Sequence, residues 1–326
     1  MHPAFSVIFL TTLIGVGQGL FLALFTAQVS ALFDLLPAQN GYDFYVIGSL
    51  MALVFLVTGL VASFFHLGRP ERAWRSAAKW RTSWLSREVI VLPTFMGLVF
   101  LYALAHWFGW KPTVFALPSG MLIDATLLLG ALAAVFAFAL FLCTAMIYAC
   151  LPFLREWHSP LTVINYTLLG GASGFSLATS FSAYAATELT RFFAVSSIII
   201  TLLAFVGRSV SLIRNSRLKP KSTLQTAIGV KHPRIIQKSQ GFTGGSFNTK
   251  EFFHGKTMNL LRSIKWFFLI SVFVLPSLLL FAGIASGSTA LLVLAFVVQY
   301  LGLIAERWYF FAQANHPQNL YYQAIA

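Results

Sequence analysis

Charged side chains are what this chain has least of. They make up 10% of its 326 residues, against 58% hydrophobic, where a soluble domain carries about 25% charge. A water-soluble fold is excluded, because there are too few polar groups to cover one. Cysteine is reduced to Cys143 and Cys150, seven apart in one apolar run. They read as small buried hydrophobes, and two thiols cannot ligate a four-thiolate iron–sulfur cluster. The seven histidines, His2, His66, His106, His158, His232, His254 and His316, all fall outside the middle of the apolar runs. No facing pair is available for a transmembrane b-type haem, and no Cys/His grouping has the spacing of a zinc site. A phosphate-binding loop is also missing, since no Gly-Lys-Ser/Thr follows the glycines at the required spacing. The expectation is a chain without haem, iron–sulfur cluster or metal of its own.

What the chain does have is apolar length. The mean hydropathy is +0.79, and runs able to cross a hydrocarbon core of roughly 30 Å recur from end to end. They are continuous rather than alternating, which argues against a β-barrel. Eight spans are expected, at about 5–33, 44–66, 88–109, 121–150, 160–185, 191–213, 266–285 and 289–311. The fold class is therefore all-α: a haem-free bundle of eight transmembrane helices forming one integral membrane domain over 1–326. Residues 214–265 form a basic loop between spans six and seven, read either as a solvated, lipid-facing loop or as a docking segment. The first run lacks a preceding Lys or Arg and exceeds a signal-peptide core, so it is read as an uncleaved span despite the Val29-Ser30-Ala31 resemblance to a cleavage site. Gly15, Gly17 and Gly19 in the first run, and Gly170, Gly171 and Gly174 in the fifth, suit close helix packing.

Charge supplies the orientation. With eight spans, 20 of the 22 Lys and Arg fall on the side holding both termini, leaving only Lys111 and Arg191 opposite. The positive-inside rule makes that side cytoplasmic, even when the long loop is discounted. The net charge of +13 is then a topological signal, helped by attraction to anionic membrane lipid, and does not point to nucleic acid. The protein is expected in the bacterial inner membrane with N- and C-termini cytoplasmic.

One connecting segment stands out, His66 to Glu88. It holds Arg69, Arg72, Arg75, Lys79, Arg81 and Arg87, with Trp74, Trp80 and Trp84, and only two acids, Glu71 and Glu88. Such a density of guanidinium and indole suits a partner-docking face, with Arg69, Arg72, Arg75, Arg81, Trp80 and Trp84 as the candidate contacts. Among polar groups near the membrane, His66, Ser86 and Glu88 sit at matching depth, and Gln18 lies deeper in the first span. Gln299, Asp124, Glu306 and Arg307 are the other polar residues placed in or near spans. Polar groups at membrane depth usually face an interior site. A histidine and a carboxylate there can exchange protons with the two oxygens of a quinone. The bland alternative is snorkelling arginine, interfacial tryptophan and a structural ion pair.

His66-Leu67-Gly68, Pro70, Arg72-Ala73, and Ser86 with Glu88 resemble the segment after the second helix in anchor subunits of the dimethyl sulfoxide reductase family. Glu306-Arg307-Trp308 with Asn315-His316-Pro317-Gln318 strengthens the resemblance, as does Gly244-Gly245-Ser246-Phe247-Asn248-Thr249 with Glu251-Phe252-Phe253. The richer Arg/Trp content of 69–84 and the long basic loop set the chain nearer the sulfite-oxidising branch. The resemblance implies a haem-free anchor exchanging electrons between membrane quinone (ubiquinone or menaquinone) and an iron–sulfur subunit, which serves a molybdopterin catalytic subunit on the cytoplasmic face. It assigns the quinone site to His66 and Glu88. A quinol-oxidising anchor of the dimethyl sulfoxide type, a transporter and a purely structural tether are the alternatives.

Overall fold

The computed structural model describes residues 1–116, 122–219, 222–239 and 256–320. Its helices are α1 (Phe5–Leu32), α2 (Ile47–Phe64), α3 (Trp84–Trp107), α4 (Ala125–Ala149), α5 (Pro160–Ala185), α6 (Thr190–Ser216), the short α7 (Leu224–Ile228), α8 (Met258–Leu269), α9 (Leu275–Ser286) and α10 (Thr289–Ala312). A π-helical turn, Gly41–Val46, leads into α2, and another, Ile270–Val274, joins α8 to α9. The second turn ends just before Pro276. Widening the helix there accommodates a residue that brings no N–H and crowds the preceding turn.

The starts of these helices are written locally. Asp124 Oδ1 accepts from the Leu127 N–H at 2.8 Å to cap α4, and Ser159 caps α5 ahead of Pro160. Both supply an acceptor for N–H groups that have no partner in the first turn.

Among the described residues, seven stretches are long and apolar enough to cross a membrane: 5–32, 41–64, 84–107, 125–149, 187–216, 258–286 and 289–312. The expected fifth span coincides with the helix α5, which is not among them, so the count of eight is not reached on length and apolarity. Thr162, Asn165, Ser173, Ser176, Thr179, Ser180 and Ser182 dilute its hydropathy, and all are buried. The reason is position: α5 packs against α1, α4, α6 and α10, so protein surrounds it where lipid would face an outer helix. Interhelical bonds use some of its polar groups, Asn165 Nδ2 to Ser211 Oγ at 3.0 Å and Ser180 Oγ to the Leu292 carbonyl at 3.0 Å.

Several expected boundaries shift. Glu88 does not open the third span; α3 begins at Trp84, capped by Ser83, whose Oγ accepts from Ser86 N–H at 3.4 Å. This places Glu88 one turn inside the helix. The seventh span starts at Met258 rather than near 266, because Thr257 caps it and its first turns carry Arg262 and Lys265 on an amphipathic surface. The stretch 214–265 is thus helical at both ends, with α7 between. Within it, residues 220–221 and 240–255, including Gly244–Thr249 and Glu251 to Phe253, lie outside the described residues. The all-α expectation is also modified by an antiparallel hairpin, β1 (Thr113–Ala116) with β2 (Leu122–Asp124), pairing Phe115 with Ile123.

Cross-chain contacts fix which ends meet. The Met1 amine donates to the Ala314 carbonyl at 2.9 Å, and Trp157 Nε1 donates to the Phe310 carbonyl at 2.9 Å. Arg214 reaches the carbonyls of Arg155 and His158 at 3.0 Å each. At the other end, Gln39 Nε2 donates to Glu188 Oε1 at 2.8 Å, and Tyr102 donates to Gln28 Oε1 at 2.8 Å.

The middle of the bundle is a glycine seam. The Gly19 and Gly174 backbones approach so closely that a Cβ on Gly19 would lie 2.9 Å from Gly174 Cα, and one on Gly174 would overlap the Gly19 backbone. Gly15 approaches Gly170 in the same seam. Small residues here let main chain touch main chain. Gly174→Ala is therefore expected to force α1 and α5 apart, at a cost of about 1–3 kcal/mol or more for overpacking. A drop in the thermal midpoint of the purified protein should show it, whereas Gly97→Ala, inside α3 where a Cβ meets nothing within 4 Å, should not lower the midpoint.

Candidate functional site

At the end of the bundle that holds Met1 and Ala314, two layers lie near one another. The outer layer is the segment between α2 and α3. Residues Pro70–Lys79 form a 3₁₀ helix with no buried side chain. Arg69, Arg72, Arg75, Arg81, Trp74 and Trp80 are all exposed. The guanidiniums stack on neighbouring indoles, Arg75 on Trp74 at 5.5 Å and Arg81 on Trp80 at 5.3 Å, a contact that keeps the charge outward while covering the ring. Glu71 pairs with Arg72 at 3.7 Å on the exposed face, where such a pair contributes little.

Two members of the segment behave differently. Arg87 turns back, donating from Nε to the Trp80 carbonyl and from its terminal nitrogen to the Arg81 carbonyl, both at 2.9 Å. Its guanidinium also lies 4.2 Å from the centre of the Trp84 ring. Trp84 is thus partly covered, and of the residues expected to dock a partner it is the least available.

The inner layer is a buried polar cluster. Ser86 and Glu88 are 3% and 7% exposed, and Glu88 Oε1 accepts from Thr144 Oγ1 on α4 at 2.5 Å. Beyond Thr144 lie Tyr148 and Tyr166, stacked at 5.9 Å. Arg307 sits 3.6 Å over the Tyr166 ring. Glu306 bridges two arginines, Arg208 Nε at 2.7 Å and Arg307 Nε at 3.6 Å, and all three side chains are buried. Two cations and one anion so deep need each other, since an isolated charge in a low-dielectric interior is strongly disfavoured.

A cavity of about 10 Å³ lies among Gln18, Thr144, Tyr166 and Arg307. That is room for about one water, with polar partners on several sides, and far too little for a ring. Gln18 itself is 2% exposed and donates to the Ala137 carbonyl at 2.8 Å. It joins the cluster through this cavity, by way of Thr144, rather than by touching Glu88.

His66 stands apart. It follows α2 in an exposed turn, and no hydrogen bond or ion pair joins it to Ser86 or Glu88 among the described residues. The surrounding apolar chain nevertheless pulls its pKa below the ordinary imidazole value by desolvation. A neutral ring at pH 7 presents one donor and one acceptor.

The cluster contains residues that sequence reasoning leaves out. Arg208 counts there with the surface charge but is 2% exposed inside α6. Its signal is legible, an ionisable residue within an apolar run. Glu306 and Arg307 stand out in the sequence as polar but carry no assignment to the site. Tyr166 and Thr144 give no such signal, because tyrosine and threonine are ordinary in spans and only the packing brings them to Glu88 and Arg307. No group of three or more metal-ligating side chains occurs among the described residues.

Comparison with known proteins gives this geometry a family. The pattern of the DMSO reductase anchor subunit (DmsC) family matches residues 1–312. The chain is also 57% identical over 326 residues to the C subunit of the sulfite dehydrogenase of Allochromatium vinosum, covering 100% of both chains. The expected resemblance therefore holds over the full length. With its apolar helices, this multi-pass membrane protein belongs to the DMSO reductase anchor subunit family.

Proposed function

We propose that the chain is the quinone-reactive membrane anchor of a molybdopterin oxidoreductase, passing electrons from a cytoplasmic iron–sulfur subunit to membrane quinone during sulfite oxidation. The observation that carries this is a buried carboxylate, Glu88, held one helical turn beneath an exposed Arg/Trp face. The face suits a docked protein, and the carboxylate can give or accept a proton close to it. Sulfite as the coupled substrate rests on the likeness to the sulfite dehydrogenase subunit. The family description by itself favours a second reading, quinol oxidation as in a dimethyl sulfoxide reductase anchor, which uses the same groups in reverse.

In this reading eight helices cross the membrane. Support comes from the Met1–Ala314 bond at one end and the Gln39–Glu188 bond at the other. An even number of passes is needed to bring residues 1 and 314 together, and α5 supplies the eighth. The excess of Lys and Arg makes the Met1 end cytoplasmic, in the inner membrane.

The quinone chemistry would lie at that end. Electrons tunnel only short distances, so a ring accepting them from a docked cluster must bind near the docking face. Ser86 and Glu88, with neutral His66 in the turn above, offer hydrogen bonds and proton transfer there. The 10 Å³ cavity toward Gln18 then serves water or a proton rather than the ring. Protons taken up on quinone reduction come from the cytoplasm.

Reversing charge at Arg72 and Arg75 together tests the docking face. The purified wild-type assembly should carry iron–sulfur clusters and molybdenum. The Arg72→Glu/Arg75→Glu variant should lose both from the membrane fraction while its thermal midpoint is unchanged, since neither side chain is buried. A reporter inserted near Thr223 should read as cytoplasmic in the same cells. Retained molybdenum, or an external reporter, would move the partner to another face.

A further inference from the structure

A groove that the proposed role leaves unused lies at the Met1 end of the bundle, where the ends of α6, α8 and α10 meet. Its volume is about 700 Å³. Met258, Leu261, Arg262 and Lys265 line it from α8, at the spacing that puts four residues on one helix face. Leu212 of α6 and Ala312 of α10 form the opposite wall.

The lining is positively charged. Lys256, Arg262 and Lys265 stand against a single acid, Glu156. Burial lowers the Met1 amine, also in the lining, to about 6 despite the opposing pull of Glu156, so it adds little charge at pH 7. Arg262 is exposed and Lys265 half-buried, and neither has a carboxylate partner among the described residues. Lys265 has only the Trp266 ring, 5.6 Å from its ammonium. Like charges one turn apart on a helix repel, and an anion between them removes that repulsion.

The groove also sits at the edge of the hydrocarbon. Trp266 lies one turn beyond Arg262, and Trp266, Phe267 and Ile270 are all exposed within a stretch apolar enough to cross the membrane. Val210 and Ile213, just before the groove on α6, are exposed as well. Apolar side chains left open at this level face lipid, and an indole marks the boundary with the headgroups. A soluble anion would use the cations alone. Cations flanked by lipid-facing surface on two helices select an amphiphile.

We infer that this groove binds one anionic phospholipid, its phosphate on Arg262 and Lys265 and its acyl chains along α8 past Trp266 and Ile270. Basic pockets between helices at a membrane surface suit such headgroups. The arginine fork matches two phosphate oxygens, and the lysine adds a point charge. A zwitterionic lipid offers the same phosphate but brings its own cation, so the groove selects by net charge. The site needs neither the quinone nor a docked subunit, and it stands or falls separately from the proposed role.

The test is native mass spectrometry of the full chain in detergent, titrated with phosphatidylglycerol or with phosphatidylcholine of the same acyl chains. The wild type should retain one phosphatidylglycerol where phosphatidylcholine is lost. Arg262→Gln/Lys265→Gln should weaken that binding about tenfold or more, and Arg262→Gln alone, at an exposed position, about fivefold. Arg217→Gln/Lys231→Gln removes the same charge from exposed positions of the same basic stretch outside the groove, and should bind as the wild type does. Equal loss in the two double variants would overturn the inference and leave only diffuse attraction. Equal retention of both lipids by the wild type would also overturn it, leaving the groove to an acidic segment of a docked protein. Inorganic phosphate bound as tightly as phosphatidylglycerol would overturn it in favour of a soluble anion.

Discussion

Glu88→Gln is expected to lower quinone-linked turnover by about 10²–10⁴-fold, the usual contribution of a general acid–base group. Activity of the catalytic partner with an artificial acceptor should be unchanged. Glutamine keeps the length of the side chain and can still accept from Thr144, so the helix contact survives while the titrating proton is lost. His66→Ala gives a useful contrast. Its ring is exposed and bonded to neither Ser86 nor Glu88, so its removal should leave the thermal midpoint untouched and still depress quinone turnover. Both rates would be read on membranes with equal iron–sulfur content. Wild-type quinone rates in both variants would leave Glu88 as a packing residue and His66 as a surface one.

The largest effect on stability is expected at Glu306. Its carboxylate lies between Arg208 and Arg307, with all three side chains buried. Glu306→Ala raises the buried charge of the trio from one positive to two, and removing one partner of a buried pair costs about 3–5 kcal/mol. Little folded protein should be recovered, and what survives should melt at a clearly lower temperature. The double variant Arg208→Met/Glu306→Leu returns the trio to a single positive charge and is expected to be more stable than Glu306→Ala alone. If the single variant proves as stable as wild type, the carboxylate is not what holds these arginines in the bundle.

Much of this architecture is legible from hydropathy, because a run of apolar residues in lipid has few structural options. The helices at 5–32, 160–185 and 289–312 are readable almost to the residue. What the runs do not reveal is rank within the bundle. The polar content of α5 looks like a weakness of the span, and only the packing shows it enclosed by four other helices. The site is half legible for a related reason. Glu88 announces itself by charge, as Arg208 also could, but Thr144, Tyr148 and Tyr166 become functional candidates only through neighbours distant in sequence. His106 reads in the sequence only as a histidine outside the middle of the apolar runs, and its burial and its stack on Tyr45 require coordinates.

The glycine seam has a mechanical meaning. Where side chains separate two helices, rotamers can adjust and the pair can slide or tilt against a compliant layer. Between Gly19 and Gly174 there is no such layer. Rocking α1 against α5 would either drive main chain into main chain or open a gap that nothing nearby can fill. A carrier that exposes its cargo alternately to two sides needs a soft joint through its middle, and these two helices form a stiff one. Stiffness suits the proposed role better, because it fixes the α1 and α5 pair against which both α4 and α10 pack. Electron transfer falls off steeply with distance, so under the proposed role a stiff seam in the middle of the bundle would help to hold its rate constant.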